Sequence, residues 1–481
     1  MLRALRSISL CLGASAGFVF PAAAQVTLKQ LSADIFTNTG SQHATEVEPH
    51  IFAFGSTLVS VFQVGRVYGG GCADIGFATS TDGGATWKRG YLPGLTQAQN
   101  PANPYQYISD PAVAYDAKHA VWLIASLPVS SGQTPAVAVS RSTDGLHWQN
   151  PVSIQYGGTS DKSWIVCDNG PGSPYYGHCY VEWDDPAAGD LIRMSTSTDG
   201  GQTWSAALAT AANAHGIGGQ PLAQPNGTVV VPADSGSQGA ILAFSSQDGG
   251  ATWGSTVRVS TILDHIDAGG IRSGPLPSAA VDMTGTIYVT WADCRFRANC
   301  SANDIVMSTS TNGVNWSAPA RIPIDAATSG VDHFIPGIAV DPQTAGSSAH
   351  LALTYYYYPQ SSCTASTCRL NVGFVSSLDG GATWTAAQHL AGPMTLSSLA
   401  ATSNGRMVGD YIATAFSQGK AFGVFAVAKA KSGSTFHEAI YTTATGLSTL
   451  DTGVTFTSAG ERPAPDAASD HPPRVAPVVI R

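Results

Sequence analysis

One short turn recurs through this chain of 481 residues and constrains its fold more than any other feature. The copies read STDGGATW ending at Trp87, STDGLHW at Trp148, STDGGQTW at Trp204, SQDGGATW at Trp253, STNGVNW at Trp316 and SLDGGATW at Trp384. Five carry an acid (Asp82, Asp144, Asp199, Asp248 and Asp379) and one carries Asn312. Each copy follows a short β-branched and aromatic run, such as DIGFATS or NVGFVSS, and leads into another run starting at the Trp, so it caps a β-hairpin. In such a turn Asp or Asn bonds the turn backbone, Gly supplies a positive φ and Trp buries apolar surface beside the hairpin. Those are folding roles, not catalytic ones.

The acidic or amide positions lie 49 to 67 residues apart, which is room for four short strands and their loops. Between them a second element alternates: a Pro or Asp opening into an apolar strand, a turn, and a stronger apolar strand, as in DPAVAYDAKHAVWLIASL. This predicts an all-β chain of four-stranded units. Repeated around an axis, such units make a β-propeller, which leaves few exposed sheet edges. Seven units are counted. The last supplies three strands (DYIATAF, AFGVFAVA and EAIYTT), and the N-terminal stretch QVTLKQLSADIFTN is expected to add the outer strand and close the ring. A six-bladed ring with decorated ends fits the same repeat count.

The chain opens with Arg3 and Arg6, an apolar run, and small residues before Gln25, the pattern of a secretory signal peptide over 1–24. Residues 25–457 would then form the propeller, and 458–481, rich in Pro and Ala, a disordered tail. The expected location is secreted or periplasmic. In an oxidising compartment, spacing pairs Cys167 with Cys179, Cys294 with Cys300, and Cys363 with Cys368, leaving Cys72 odd. A formal net charge of -9 argues against nucleic acid as a partner, and no mature apolar run is long enough to insert in a membrane. A monomer is expected. No phosphate loop, nucleophile elbow or zinc motif is present, and the reading calls for no cofactor and no metal.

The repeated S-x-D-x-G-x-x-W pattern resembles the Asp-box, or bacterial neuraminidase repeat, of the sialidase superfamily, over about residues 40 to 450. The resemblance implies a propeller with its Asp-boxes between the third and fourth strands, on the side away from the active site. It implies a sialidase-like exo-glycosidase that hydrolyses a terminal acidic sugar of a glycan. Such enzymes clamp a carboxylate with three arginines and use a Tyr nucleophile helped by a Glu, with an Asp as acid/base. Where that family carries an arginine-bearing F/Y-R-I-P motif, this chain reads EPHIFAF. Asp-boxes also occur in polysaccharide lyases, here one acting on uronic-acid glycans, and in non-enzymatic glycan- or protein-binding propellers, so both alternatives stand.

Strand order puts the loops leading into each first strand, and those joining the second and third, on the face opposite the Asp-boxes. Glycosidic-bond chemistry needs carboxylates as acid and base, arginines for a sugar acid and aromatics for stacking. The catalytic candidates on these loops are Asp110 as acid/base, Asp161 as its partner from the next blade, Tyr411 as nucleophile beside Asp410, and His333 as a general base. The substrate-binding candidates are Arg66, Arg272, Arg295, Arg406 and Trp164. Each has a structural alternative: an Asp that caps a turn, an arginine that ties blades together by an ion pair, a buried Tyr or His.

Overall fold

The computed structural model describes residues 26–449, 455–457 and 461–464. The signal peptide expected over 1–24 lies outside the described residues, as does most of the segment 458–481. The fold is all-β, with only short 3-10 turns between strands among the described residues. No helix in them is long and apolar enough to cross a membrane.

The strands group into successive antiparallel meanders. The first comprises Glu46–Phe54, Thr57–Arg66, Cys72–Ser80 and Lys88–Tyr91; the second Tyr107–Asp116, Val121–Val129, Ala136–Ser142 and Val152–Gln155. The third has Asp161–Cys167, Cys179–Asp185 and Leu191–Ser197, with its outer edge reduced to the bridge between Met194 and Leu208. The fourth runs from Leu222–Ala223 to Val257–Thr261, the fifth from Ser278–Val281 to Ala320–Arg321, and the sixth from Asp332–Val340 to Gln388–Thr395. The last contains Ala413–Ser417, Lys420–Ala428 and Glu438–Thr443, and Leu28–Gln30 pairs with its Glu438–Thr443 strand. The leading strands of these units pack side by side in chain order, and Ala413–Ser417 packs in turn on Glu46–Phe54.

The core lies between neighbouring sheets, because each sheet presents apolar residues on both faces. Leu123, Val137, Ile165 and Trp183 fill the seam between the second and third sheets, and Val230, Val289 and Trp291 the seam between the fourth and fifth. Trp183 and Trp291 are fully buried. Burial of side chains that large dominates local stability.

All six repeated turns lie between the third and fourth strands of a unit, or before the position of the missing fourth in the third unit. In the first, Ser80 Oγ donates to Asp82 Oδ1 at 2.7 Å and accepts the Gly84 N–H at 2.8 Å. Asp82 also accepts the Thr86 N–H at 2.9 Å and its hydroxyl at 2.6 Å. The same Ser-to-acid contact closes the turns at Asp144, Asp199, Asp248 and Asp379, and the Asn312 turn keeps it at 3.3 Å. The glycine after each acid or amide has a φ of 68° to 72°, which the turn needs and an L side chain rarely adopts.

All three expected disulfides are present: Cys167–Cys179, Cys294–Cys300 and Cys363–Cys368. They are the mark of a chain folded in an oxidising compartment. Cys72 is a free, buried thiol.

Candidate active site

The site begins with irregularities in the leading strands. Pairing slips by one residue between Val47 and His50, between Ser109 and Ala112, between Asp161 and Trp164, and between Phe334 and Gly337. Inside the four bulges sit Glu48 (φ 53°), Asp110 (φ 47°), Lys162 (φ 51°) and Ile335 (φ 50°), all left-handed without being glycine. Pro follows three of them, at Pro49, Pro111 and Pro336, where the interrupted ladder needs no N–H. A left-handed non-glycine residue costs on the order of 1–3 kcal/mol, and such strain clusters where a side chain must be aimed. Here it aims Glu48, Asp110 and Lys162 into one pocket on the face opposite the repeated turns.

Lys162 is the hub of that pocket. Its ammonium lies 3.4 Å from Asp110 Oδ1 and 3.6 Å from Glu48 Oε1, and it donates a short hydrogen bond to Asp410. Asp410 is also gripped by Arg272, whose Nε donates to Oδ1 at 2.7 Å and whose Nη2 bonds the other oxygen. Burial opposes ionisation of Asp410, but Arg272 and Lys162 hold its carboxyl well below the usual carboxylate range. Burial lowers the affinity of Lys162 for its proton, yet Asp110, Asp410 and Glu48 together push it well above the ordinary lysine value. Glu48, desolvated and beside Asp110, is raised to about 8 despite Lys162. Asp161 is raised to about 6 by burial, with Lys162 pulling the other way.

Arg66 acts on the network at longer range, its charge favouring ionisation of Glu48. Its Nη1 donates to Gln63 Oε1 at 2.8 Å, and the Gln63 amide in turn bonds Glu48. Its buried Nε has no hydrogen-bond acceptor, and no carboxylate is ion-paired with it among the described residues. Its Nη2 makes no hydrogen bond among the described residues, and Arg66 lines the pocket, so that nitrogen rather than the buried Nε is the donor open to a ligand.

Beneath the ionic layer lies an aromatic one. Trp164 meets His50 edge to face at 4.5 Å between centroids and Tyr411 at 5.1 Å. Asp410, in a bend, and Tyr411 precede the strand Ala413–Ser417; Asp410 is held by Lys162 and Arg272, whereas Tyr411 packs on Trp164. The Tyr411 hydroxyl donates to the Pro111 carbonyl at 3.1 Å, the side chain is buried, and burial pushes its pKa well above 10.

Of the residues singled out from sequence, the structure brings together Arg66, Asp110, Asp161, Arg272 and Asp410, with Trp164 and Tyr411 in the layer below. It does not bring in the rest. Arg295 is locked bidentately on Asp293, at 2.8 and 2.7 Å, and reaches Ser260 and Thr261 of the preceding sheet. His333 is buried against Tyr355, with its Nδ1 3.3 Å from the Asn303 carbonyl, and burial lowers its pKa. It borders Asp304 and Asp325, close enough to suggest a metal triad, but Arg297 and Arg321 already neutralise both carboxylates. The Arg406 guanidinium donates to the Leu399 carbonyl at 3.0 Å, and its own carbonyl accepts the Arg272 N–H, so it supports the Arg272 loop. Two of the four named arginines therefore line the pocket. Glu48 and Lys162 lie on the same blade-entry loops that the sequence marks for site residues, but no role was assigned to them; the X-Pro step after Glu48, matching that after Asp110, was the available signal.

The arrangement offers an accessible carboxyl of raised pKa, a second carboxylate held by an ammonium, and an arginine with a free donor. These are the parts needed for acid/base chemistry on an acidic sugar.

Residues 175–337 match the BNR repeat-like domain family. A sialidase of Bacteroides fragilis (strain YCH46) is 30% identical over 123 residues, a stretch that is 21% of this chain and 21% of that protein. The match thus spans about a fifth of the curated relative's length. Among solved structures, the NanB sialidase from Streptococcus pneumoniae is similar with a TM-score of 0.41 at 14% identity, covering 86% of this chain and 70% of that one. A polysaccharide lyase, an ulvan lyase, has a TM-score of 0.49 at 11% identity, covering 88% and 96%. The match over 175–337 and the six repeated turns are consistent with the BNR/Asp-box fold of the sialidase superfamily.

Proposed function

We propose that this protein is an exported glycosidase of the sialidase type, cleaving an acidic sugar from a glycan in the Lys162 pocket. The observation that carries the reading is the convergence of Glu48, Asp110 and Lys162, each from a left-handed bulge of a different leading strand, on the face away from the Asp-boxes. Its scaffold is a closed seven-bladed propeller with Leu28–Gln30 as the outer strand of the last blade. That geometry is supported by the strand pairing and by the packing of Ala413–Ser417 on Glu46–Phe54.

Asp161, half-buried on the pocket wall with a carboxyl raised to about 6, is the proton donor to the leaving oxygen. Asp110, ion-paired with Lys162, is the carboxylate that supports positive charge at the anomeric carbon. Arg66, on the pocket wall, receives the acidic group of the sugar through its Nη2. Tyr411 has a packing role in this assignment, because its hydroxyl is committed to Pro111. Lys162 and Arg272 hold Asp410 and set the local charge.

The test is turnover of fluorogenic sialosides and uronides by the full chain, run beside Asp110→Asn and Arg66→Met. Release of fluorophore that is lost in Asp110→Asn and weakened through KM in Arg66→Met is the expected result. Absence of release from every acidic glycoside, or full activity in Asp110→Asn, sinks the reading.

A further inference from the structure

Below the aromatic layer of His50, Trp164 and Tyr411, the leading strands enclose an axial channel of about 360 Å³. That lies within the ~300–1,000 Å³ span of small-molecule sites. Its walls carry Phe52, Val166, Leu222, Met283, Ile338 and Phe416, contributed by six different units. Met283 is 56% exposed. We propose that this channel is a binding site for a neutral apolar molecule, separate from the glycan pocket and beyond the glycosidase reading.

Three observations select that chemistry. First, several polar groups on the wall are already used by the protein itself. His50 Nδ1 accepts the Val113 N–H at 3.0 Å, Gln220 Oε1 the Ala279 N–H at 3.0 Å, and Ser278 Oγ the Ile338 N–H at 3.0 Å. The Thr414 hydroxyl donates to the Gly337 carbonyl at 2.8 Å. An ordered water needs two to four polar partners, and each group spent on the protein itself is one fewer for it. Second, no lysine or arginine lines the channel, so an anion would lose its hydration without gaining a counter-charge. Third, the acid that lines it, Asp282, has both carboxylate oxygens engaged by the N–H groups of Thr284, Thr286 and Gly346, which solvate its charge within the protein and leave it less open to a cation in the channel. What remains is apolar surface that an uncharged hydrophobic ligand would remove from water.

The probe is N-phenyl-1-naphthylamine, neutral and fluorescent in apolar surroundings, titrated into the full chain. The expected result is saturable enhancement at one probe per chain, weakened at least tenfold in Ala280→Trp and in Ala223→Phe, which fill the channel from two different sheets. Circular dichroism and thermal melting establish which variants are folded. In parallel, the Met283 methyl resonance, assigned with Met283→Leu, is expected to shift on probe addition to the unmutated binding wall. No saturable enhancement, an unmoved Met283 methyl, or undiminished binding in a folded filling variant overturns the proposal. Because none of these readouts involves a glycan, failure here leaves the glycosidase reading to its own test.

Discussion

Lys162 is a fully buried cation whose neighbours are three carboxylates, and that asymmetry makes it the most consequential residue of the pocket. Removing one partner of a buried ion pair leaves uncompensated charge, which costs roughly 3–5 kcal/mol. Lys162→Met is therefore expected to lower stability by about that much in urea denaturation, whereas Glu48→Gln, which removes a group already raised to about 8, should leave stability unchanged or improved. Equal loss in the two variants would show that the network is not organised around the ammonium. Asp161 gives a kinetic prediction. As a proton donor raised to about 6, it is active when protonated, so kcat/KM should fall as pH rises through about 6. In Asp161→Asn, activity on substrates with poor leaving groups should drop by ~10²–10⁴-fold and the limb should disappear. Asp110, Asp161 and Asp410 were legible in the sequence because repeat order alone assigns loops to a face. The same order places Lys162 and Glu48 on that face, but their roles were not legible, because a one-residue slip in pairing decides where their side chains aim, and pairing is a long-range property. Arg295 carried the right chemistry for anion binding, but Asp293, two residues away, claims both edges of its guanidinium.

The repeated turn is the element whose sequence and structure agree in most detail, since its interactions span four residues and need no tertiary information. Two glycines test its physics. Gly249 follows Asp248 with φ 70°, and an added Cβ would sit 2.4 Å from the Tyr175 ring; Gly55 has φ 60° in a strand-one-to-two turn with nothing within 4 Å. Gly55→Ala should cost only the backbone term, on the order of 1 kcal/mol, while Gly249→Ala should cost more because the ring of a neighbouring unit must also move. Thermal unfolding of the two variants separates these contributions, and equal losses would mean that the turn does not pack as described. The Trp that ends each copy is less uniform than the motif suggests. Trp87, Trp316 and Trp384 donate Nε1–H to the carbonyl of the glycine three residues before, whereas the buried Nε1 atoms of Trp148, Trp204 and Trp253 have no acceptor. A motif reports the residue type at a position, but the partner of that residue depends on how the adjoining sheet closes over it.

At the scale of the whole molecule, the sequence counts every acid as a charge, yet the fold divides the acids into two populations with opposite effects on stability. Glu46 and Glu48 are raised to about 8, and Glu182, Asp184, Asp234 and Glu438 are pushed well above their ordinary values, in each case chiefly by burial. Both carboxyl oxygens of Glu182 and of Asp184 lack a hydrogen-bond partner, which is tolerable only for a neutral acid. Against these stand the repeated-turn acids. Asp82 is lowered to about 2 by the Thr86 hydroxyl and N–H; for Asp199, Asp248 and Asp379 burial is the largest single influence and opposes ionisation, but the matching threonine, serine and backbone hydrogen bonds together outweigh it and lower them. For the raised group the folded state holds more protons than the unfolded chain between the unfolded and folded pKa values, so unfolding free energy decreases as pH rises through that window. For the lowered group the contribution is present above the unfolded carboxylate value and is lost as pH falls toward the folded one. The midpoint of thermal unfolding should accordingly peak near pH ~5, decline steadily toward pH ~8 and above, and also fall below pH ~4. Glu182→Gln paired with Asp184→Asn should flatten the alkaline decline without moving the acid limb, because it removes two of the raised groups and none of the lowered ones. A melting temperature that is constant from pH ~5 to ~8 in the unmodified chain would mean that the buried carboxyls find compensating charge or water in solution.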